Sequence, residues 1–383
     1  MKPLLPVRLP KPLLLTLLPL LLAAKPYTPP SGETVLLKRP PGARAALATP
    51  SPSDAAEAVA AAIRQARKTG DPRYFGQAEA LLGPAWTAAD PPPRLRLLRA
   101  TLRQQRHDFA GAISDLDALI AAGQHAAEAR LIRAMLALVA GEPQRARADC
   151  AALLTQASFL VTASCLGAAK AHSGEAAMGL AAIEQALARD ADAPLPIRVW
   201  AQTLAAETAE RMGATAQAEG HYRSALAAAS EGGENDVYLQ AAYADFLLQQ
   251  GRAEAVRALL ADKTDFDPLL LRLALAETVP RRAVLAAQMQ ERFQEGRDRG
   301  DIAHHREEAM AALDLQQDAA AALSHARANW QSQREPADAL ILLRAALASG
   351  DKAAALPVRD WQQATGIEDV RLARLWKQWE ALP

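Results

Sequence analysis

The chain has 383 residues, half of them apolar, with aromatics at only 4% and two cysteines. Lysine plus arginine and aspartate plus glutamate stand at 43 each, so the formal net charge is zero. That balance argues against a general nucleic-acid binder, which needs a basic face to neutralise phosphates. At this length a repeat array is the natural way to use so much apolar material, because each unit contacts only its neighbours.

In chain order, residues 1–24 read as a signal peptide or an N-terminal anchor. Lys2, Arg8 and Lys11 form a positive stretch, and Leu13 to Ala24 an apolar run too short to span a bilayer comfortably. Ala23 and Ala24 offer an imperfect cleavage site. Cleaved, the segment makes the body periplasmic or exported; uncleaved, it anchors the body at the inner membrane facing the periplasm. Residues 25–53 carry seven prolines and read as an extended tether, with Thr34-Val-Leu-Leu37 its apolar run. Asp54 is the expected cap of the first helix.

From residue 54 to 365 the expectation is helix after helix, with no two-residue alternation to call a strand. Gly70, Gly141, Gly174, Gly251, Gly300 and Gly350 punctuate the helices, each able to end one in the left-handed conformation. His107 stands where other units carry that glycine, so it is read as a turn residue. Small residues recur with a spacing of 34 at Ala66, Ala100 and Ala134, and again at Ala78, Ala112 and Ala146. Four residues later comes Leu82, Leu116 and Cys150. The comb continues, with small drifts, through Gly167/Gly179/Ile183, Ala206/Ala218/Tyr222 and Ala244/Val256/Leu260. A period in this range means stacked copies of one helical hairpin.

These teeth, with Ala322-x3-Ala326 and the closing Pro268, resemble the tetratricopeptide (TPR) repeat pattern A-x3-F…P. The first-helix half is degenerate: its small residue is kept, while the family's Trp is absent and its Tyr is replaced by Thr69, Arg103 and Ala137. The expected architecture is all-α: a right-handed superhelical solenoid of about eight helix-turn-helix units. One unit falls near residues 268–298 with a long second helix, and a capping helix follows over 366–383. Val370, Leu372, Leu375, Trp376 and Trp379 lie on that cap, and an open solenoid end needs such a cover.

The resemblance implies a concave groove, lined by first helices, that binds a protein or peptide partner. In this register the lining takes in Arg94, Leu97, Thr101, Gln104, Glu128, Leu131, Met135, Trp200, Glu207, Arg211, Tyr238, Asp245 and Gln249. It is mixed in charge, and Leu131, Met135 and Trp200 serve equally well as core.

Cys150 and Cys165 fall on consecutive antiparallel helices at similar distances from the turn. They read either as a disulfide in an oxidising compartment or as two small buried thiols. His304, His305, Glu307 and Glu308 form the densest group of potential ligands. Two ligands on one helix do not make a structural zinc site, so no metal is assigned and a solvated face with Arg306 is expected. His325 and the other histidines are scattered. No nucleophile, phosphate-loop or zinc-protease motif occurs, so neither a catalytic residue nor a cofactor is expected.

The functional expectation is a non-enzymatic protein–protein interaction scaffold that helps assemble a cell-envelope complex. The alternative is a membrane-tethered accessory subunit of an envelope enzyme or secretion system. Nucleic acid is not an expected partner, and the membrane is one only through an uncleaved N-terminus.

Overall fold

The computed structural model describes residues 51–71, 73–233, 235–299 and 304–381. The leader, most of the tether with its Thr34–Leu37 run, and the Gly300–Asp301 break lie outside them. Among the described residues the regular elements are helices. Unit 1 pairs α1 (Pro52–Thr69) with α2 (Arg73–Leu82), unit 2 α3 (Pro93–Gln105) with α4 (Phe109–Ala121), and unit 3 α5 (Ala126–Val139) with α6 (Pro143–Ala152). Unit 4 pairs α7 (Phe159–Ala171) with α8 (Ala176–Arg189), unit 5 α9 (Leu195–Arg211) with α10 (Thr215–Glu231), and unit 6 α11 (Val237–Gln249) with α12 (Ala253–Leu260). Unit 7 pairs α13 (Asp267–Ala276) with α14 (Val279–Arg299), unit 8 α15 (His305–Asp314) with α16 (Ala319–Trp330), and unit 9 α17 (Pro336–Ser349) with α18 (Leu356–Thr365). The last helix is α19 (Val370–Ala381). The described chain is thus a TPR-like solenoid of nine hairpins and a final helix, one hairpin more than the period suggested.

Local chemistry sets the helix ends. Helix α1 begins at Pro52, not after Asp54: the Ser51 hydroxyl accepts from the Asp54 amide at 3.2 Å, and proline in the first turn loses no needed hydrogen bond. The helical body therefore starts inside the expected tether. His107 holds φ 55° at the turn where Gly141, Gly174 and Gly213 hold 77–78°, as its place in the repeat implied.

The comb is the packing code. Ala66, Ala100, Ala134, Ala78, Ala112, Ala146, Ala206, Ala218 and Ala244 are all buried, and so are Leu82, Leu116, Cys150, Ile183, Tyr222 and Leu260. A side chain the size of Leu116 contributes about 1.5–3 kcal/mol when fully buried, while the alanine teeth let helix axes approach closely enough to bury it. Helices α7 and α8 cross backbone to backbone. A Cβ on Gly179 would lie 2.4 Å from the carbonyl oxygen of Gly167, and one on Gly167 would lie 2.7 Å from that of Gly179.

A second period runs through the same units. Arg99 of α3 binds Asp115 of α4 through Nε and Nη2 at 2.9 and 2.5 Å. One repeat later Arg133 of α5 binds Asp149 of α6 in the same bidentate way, at 2.8 and 2.6 Å. The shared spacing of 34 in both partners is visible in the sequence once the contact is known.

Cys150 of α6 and Cys165 of α7 are joined in a disulfide, their Cα atoms 5.4 Å apart, inside the cluster of Ala134, Leu153 and Ala168. It closes a loop across a sequence separation of 15, for which chain entropy gives a stabilisation of about 3 kcal/mol. Reduction with dithiothreitol is expected to lower the urea midpoint by a corresponding amount. Equal midpoints in oxidised and reduced protein would show that the bond constrains nothing.

First helices run side by side along the array: α5 with α7, α7 with α9, α9 with α11, α11 with α13, α13 with α15, α15 with α17, and α17 with α19. The array also meets itself. The His107 ring of unit 2 stands edge-on to His304 at the start of unit 8, centroids 6.4 Å apart. The amide of Arg334, leading into unit 9, donates to the carbonyl of Val139 in unit 3 at 2.7 Å. Gly174 of unit 4 lies so close to Gly366 that a Cβ there would come within 2.8 Å of its carbonyl oxygen. Arg371 of α19 donates to Glu210 of unit 5 at 2.5 Å. Unit 2 meets unit 8 and unit 3 meets unit 9, so about six units complete one turn, and successive turns touch.

Helix α19 covers the end of unit 9. Leu372 is buried, the Trp376 indole donates to Gln362 at 2.8 Å, and the Trp379 indole donates to the carbonyl of Lys352 at 3.2 Å. The Arg359 guanidinium lies over both rings, 4.9 and 4.1 Å from the centroids. Trp330 and Trp361 are buried edge to face beneath.

Candidate functional site

The residues assigned to a groove separate into three groups. Arg94 and Glu128 stand on the first helices α3 and α5 with their charged ends 3.6 Å apart, both half-exposed. Arg94 also lines a shallow hollow with Pro52, Glu57, Pro92 and His125. Gln104 and Thr101 are half-buried, the Thr101 hydroxyl turned back onto the carbonyl of Leu97. Leu131, Met135 and Trp200 are half-buried against the core around Ala134 and Cys150. Gln249 is exposed.

Two assignments, Leu97 and Arg211, are corrected. Leu97 is a core residue, 5% exposed among Ala100, Ala112 and Leu116. It packs against Ala112 and Leu116 of α4 although Thr101, one turn on, shares its side of the helix. Asp245 keeps its half-buried place on α11, where Arg272 of α13 engages it through two bonds of 2.9 and 2.7 Å. Arg211 is only 4% exposed. The one partner of its head group among the described residues is the Thr208 hydroxyl at 3.4 Å, and its Nε has none.

What remains forms a polar inner wall on α9 and α11. The Tyr238 hydroxyl donates to Glu207 at 2.5 Å, joining unit 5 to unit 6. Tyr238 leaves 55% of its surface to solvent. The charge of Glu335 acts on both side chains, and that of Arg306 on Tyr238. Crowding by protein therefore coexists with access to water. It raises the Glu207 carboxyl to about 7, with the Tyr238 hydrogen bond and the Arg211 charge opposing and Glu335 adding to the rise. Burial likewise pushes His172 down to about 3, so it is neutral at ordinary pH, with Nδ1 on the carbonyl of Ala168.

The raised Glu207 fixes a sign. A carboxyl that prefers its proton in the folded state stabilises fully below its ordinary value of 4.5, and that stabilisation is lost as pH climbs through about 7. Glu207→Gln is expected to flatten this part of the profile. Thermal melts of both proteins between pH 4.5 and 7 check it; parallel curves would show that Glu207 titrates as an ordinary carboxylate.

Several wall residues escaped sequence reasoning. Glu210 accepts from the Tyr222 hydroxyl at 2.8 Å and from Arg371. Arg371 also binds Asp369 at 2.6 Å. Arg306 bridges Glu335 and the buried Asp338, both at 2.5 Å. No local pattern marks these groups: Tyr222 meets Glu210 across one hairpin, Arg306 reaches into the neighbouring unit, and Arg371 meets Glu210 across a whole turn. Arg306 is consequently not part of a solvated face beside His304 and Glu308, as had been expected. Glu308 is 6% exposed, and its helical partner is His305, not His304. His325 of α16 joins this pair, which makes the group the one cluster of metal-ligand chemistry among the described residues.

Among the described residues no helix is long and apolar enough to cross a membrane. No protein-family model matches the chain, and no curated protein matches it. Among solved structures the TPR domain of P58(IPK) is similar, at 15% identity over 87% of this chain and 98% of that one, with a TM-score of 0.25. So weak a superposition leaves the assignment of fold to the hairpins themselves.

Proposed function

We propose that this protein is a non-enzymatic interaction scaffold that holds a peptide or protein segment against its first helices, within the assembly of a cell-envelope complex. The observation that carries the reading is the polar inner wall. Tyr238 keeps 55% of its surface open to solvent over Glu207, so the pair offers a guest an aromatic face beside a hydrogen-bonding carboxyl. The half-exposed Arg94–Glu128 pair extends the same side of the array toward its N-terminal end. An extracytoplasmic place is supported by the leader-like sequence of residues 1–24 and by the Cys150–Cys165 bond, which persists in oxidising compartments.

The test is a photo-crosslinking residue introduced at Tyr238 in the native cells, with a second at Val284, which is exposed on the second helix α14. A defined partner band from position 238, absent from position 284, is the expected result. Equal labelling from both positions would remove the inner wall as the binding face. Retention of the mature chain in the membrane fraction with Met1 intact would favour the tethered-subunit reading over a released scaffold.

A further inference from the structure

The geometry of unit 8 points to a site for a divalent transition-metal ion of the zinc class, held by His305, Glu308 and His325. The three nitrogen and oxygen atoms form a nearly equilateral triangle. His305 Nδ1 lies 3.4 Å from Glu308 Oε2, His325 Nδ1 lies 3.3 Å from the same oxygen, and the two Nδ1 atoms lie 3.4 Å apart. Hydrogen bonds between such groups close to about 2.7–3.2 Å, so this triangle is wider than good hydrogen bonds would make it. A tetrahedral ion with ligand bonds of about 2.0–2.1 Å has edges of about 3.3–3.4 Å between its ligand atoms. All three edges meet that value.

The surroundings are those of a held site. Helix geometry places His305 and Glu308 on one face of α15, three residues apart, and α16 brings in His325 from the facing helix. The Glu308 side chain is 6% exposed, and its second oxygen accepts from Arg297 at 2.5 Å, which leaves Oε2 directed at the two imidazoles. A ligand fixed in this way by an outer partner is better oriented for an ion. The imidazoles remain 37% and 33% exposed, so water has access to the fourth coordination position. Two imidazoles and one carboxylate suit zinc or cobalt better than calcium or magnesium, which prefer oxygen ligands alone. The site also lies one residue beyond His304, where unit 8 meets His107 of unit 2, so an ion would brace α15 against α16 beside the seam between turns.

The experiment uses the full chain without a histidine tag, stripped with a chelator and titrated with cobalt(II) while the visible absorption of the ion is followed. About one equivalent is expected to give the intense bands of a tetrahedral site, and zinc is expected to displace it. His325→Ala and Glu308→Gln are each expected to weaken binding by about 100-fold or more, since they remove direct ligands where loss of outer partners already costs 10–100-fold. His304→Ala is expected to leave it unchanged. His305→Ala serves as a third ligand variant, and the helical circular dichroism of each variant confirms folding. Absence of tetrahedral bands in the parent chain overturns the proposal, as does undiminished binding in folded His325→Ala and His305→Ala.

Discussion

Gly179→Ala, the addition of a single methyl group, is expected to be among the most damaging small changes in the chain. The new Cβ would stand 2.4 Å from the Gly167 carbonyl oxygen and 3.2 Å from the Ala171 amide nitrogen, both of them backbone. A side chain in its way could rotate aside; a helix backbone cannot, so α7 and α8 must separate. Overpacking of this kind costs about 1–3 kcal/mol or more, against a return of about 1 kcal/mol from alanine's better helix propensity. Separation would also loosen Ile183, which packs on Gly167, and would strain the cluster beside the disulfide. Gly220→Ala in α10 is the control, because no atom lies within 4 Å of its added Cβ. Only the propensity gain operates there, and stability should rise by about 0.5–1 kcal/mol. Urea titrations of the two variants should move in opposite directions. If both rise, the α7–α8 crossing is looser than the structure shows.

Arg99→Met should cost more, about 3–5 kcal/mol, as expected when one member of a buried ion pair is removed. Arg99 is 4% exposed and does two jobs. It neutralises the equally buried Asp115, and its Nη1 donates to the carbonyls of Ala85, Trp86 and Ala88 at 2.8, 3.1 and 2.7 Å. These carbonyls end unit 1, where no further helix turn offers them donors. Methionine fills the volume and leaves all of them, and Asp115, short of a partner. Arg103 also reaches Asp115 at 2.9 Å and moderates the loss. Arg64→Ala in α1 is the comparison: its pair with Glu57 is 64% and 73% exposed, and such surface pairs contribute about 0–1 kcal/mol. A loss at Arg99 no larger than that at Arg64 would mean that Asp115 is solvated or finds another donor.

Each effect depends on a part of the structure that the sequence discloses to a different degree. Gly167 and Gly179 lie on the comb, so their burial was legible: the period requires a small residue wherever two helices cross. The pair Arg99 and Asp115 was present in the sequence with its repeat, Arg133 and Asp149, but charged residues are expected outside. Only the contact shows that these two meet in the interface between helices of one hairpin. Cys150 and Cys165 could be placed opposite each other across α6 and α7, though not shown to be bonded. The metal-type cluster was half visible. His305 and Glu308 share a helix face in any register, but the neighbouring His304–Glu308 spacing was equally good, and the third ligand, His325, comes from another helix 17 residues beyond Glu308.

By itself the sequence determined the architecture. Small residues at a spacing of 34 dictate helical hairpins that can only be buried by stacking, and this follows from local periodicity alone. It also determined that the teeth of the comb are core, since a tooth has the same neighbours in every unit. Only the tertiary structure decided the curvature. Small rotations from one unit to the next accumulate until unit 2 meets unit 8 and Glu210 meets Arg371, 161 residues apart. That sum depends on every interface at once, so no window of sequence contains it. It sets the polar wall of α9 and α11 among charges from distant units, with Arg211 buried and the carboxyl of Glu207 raised.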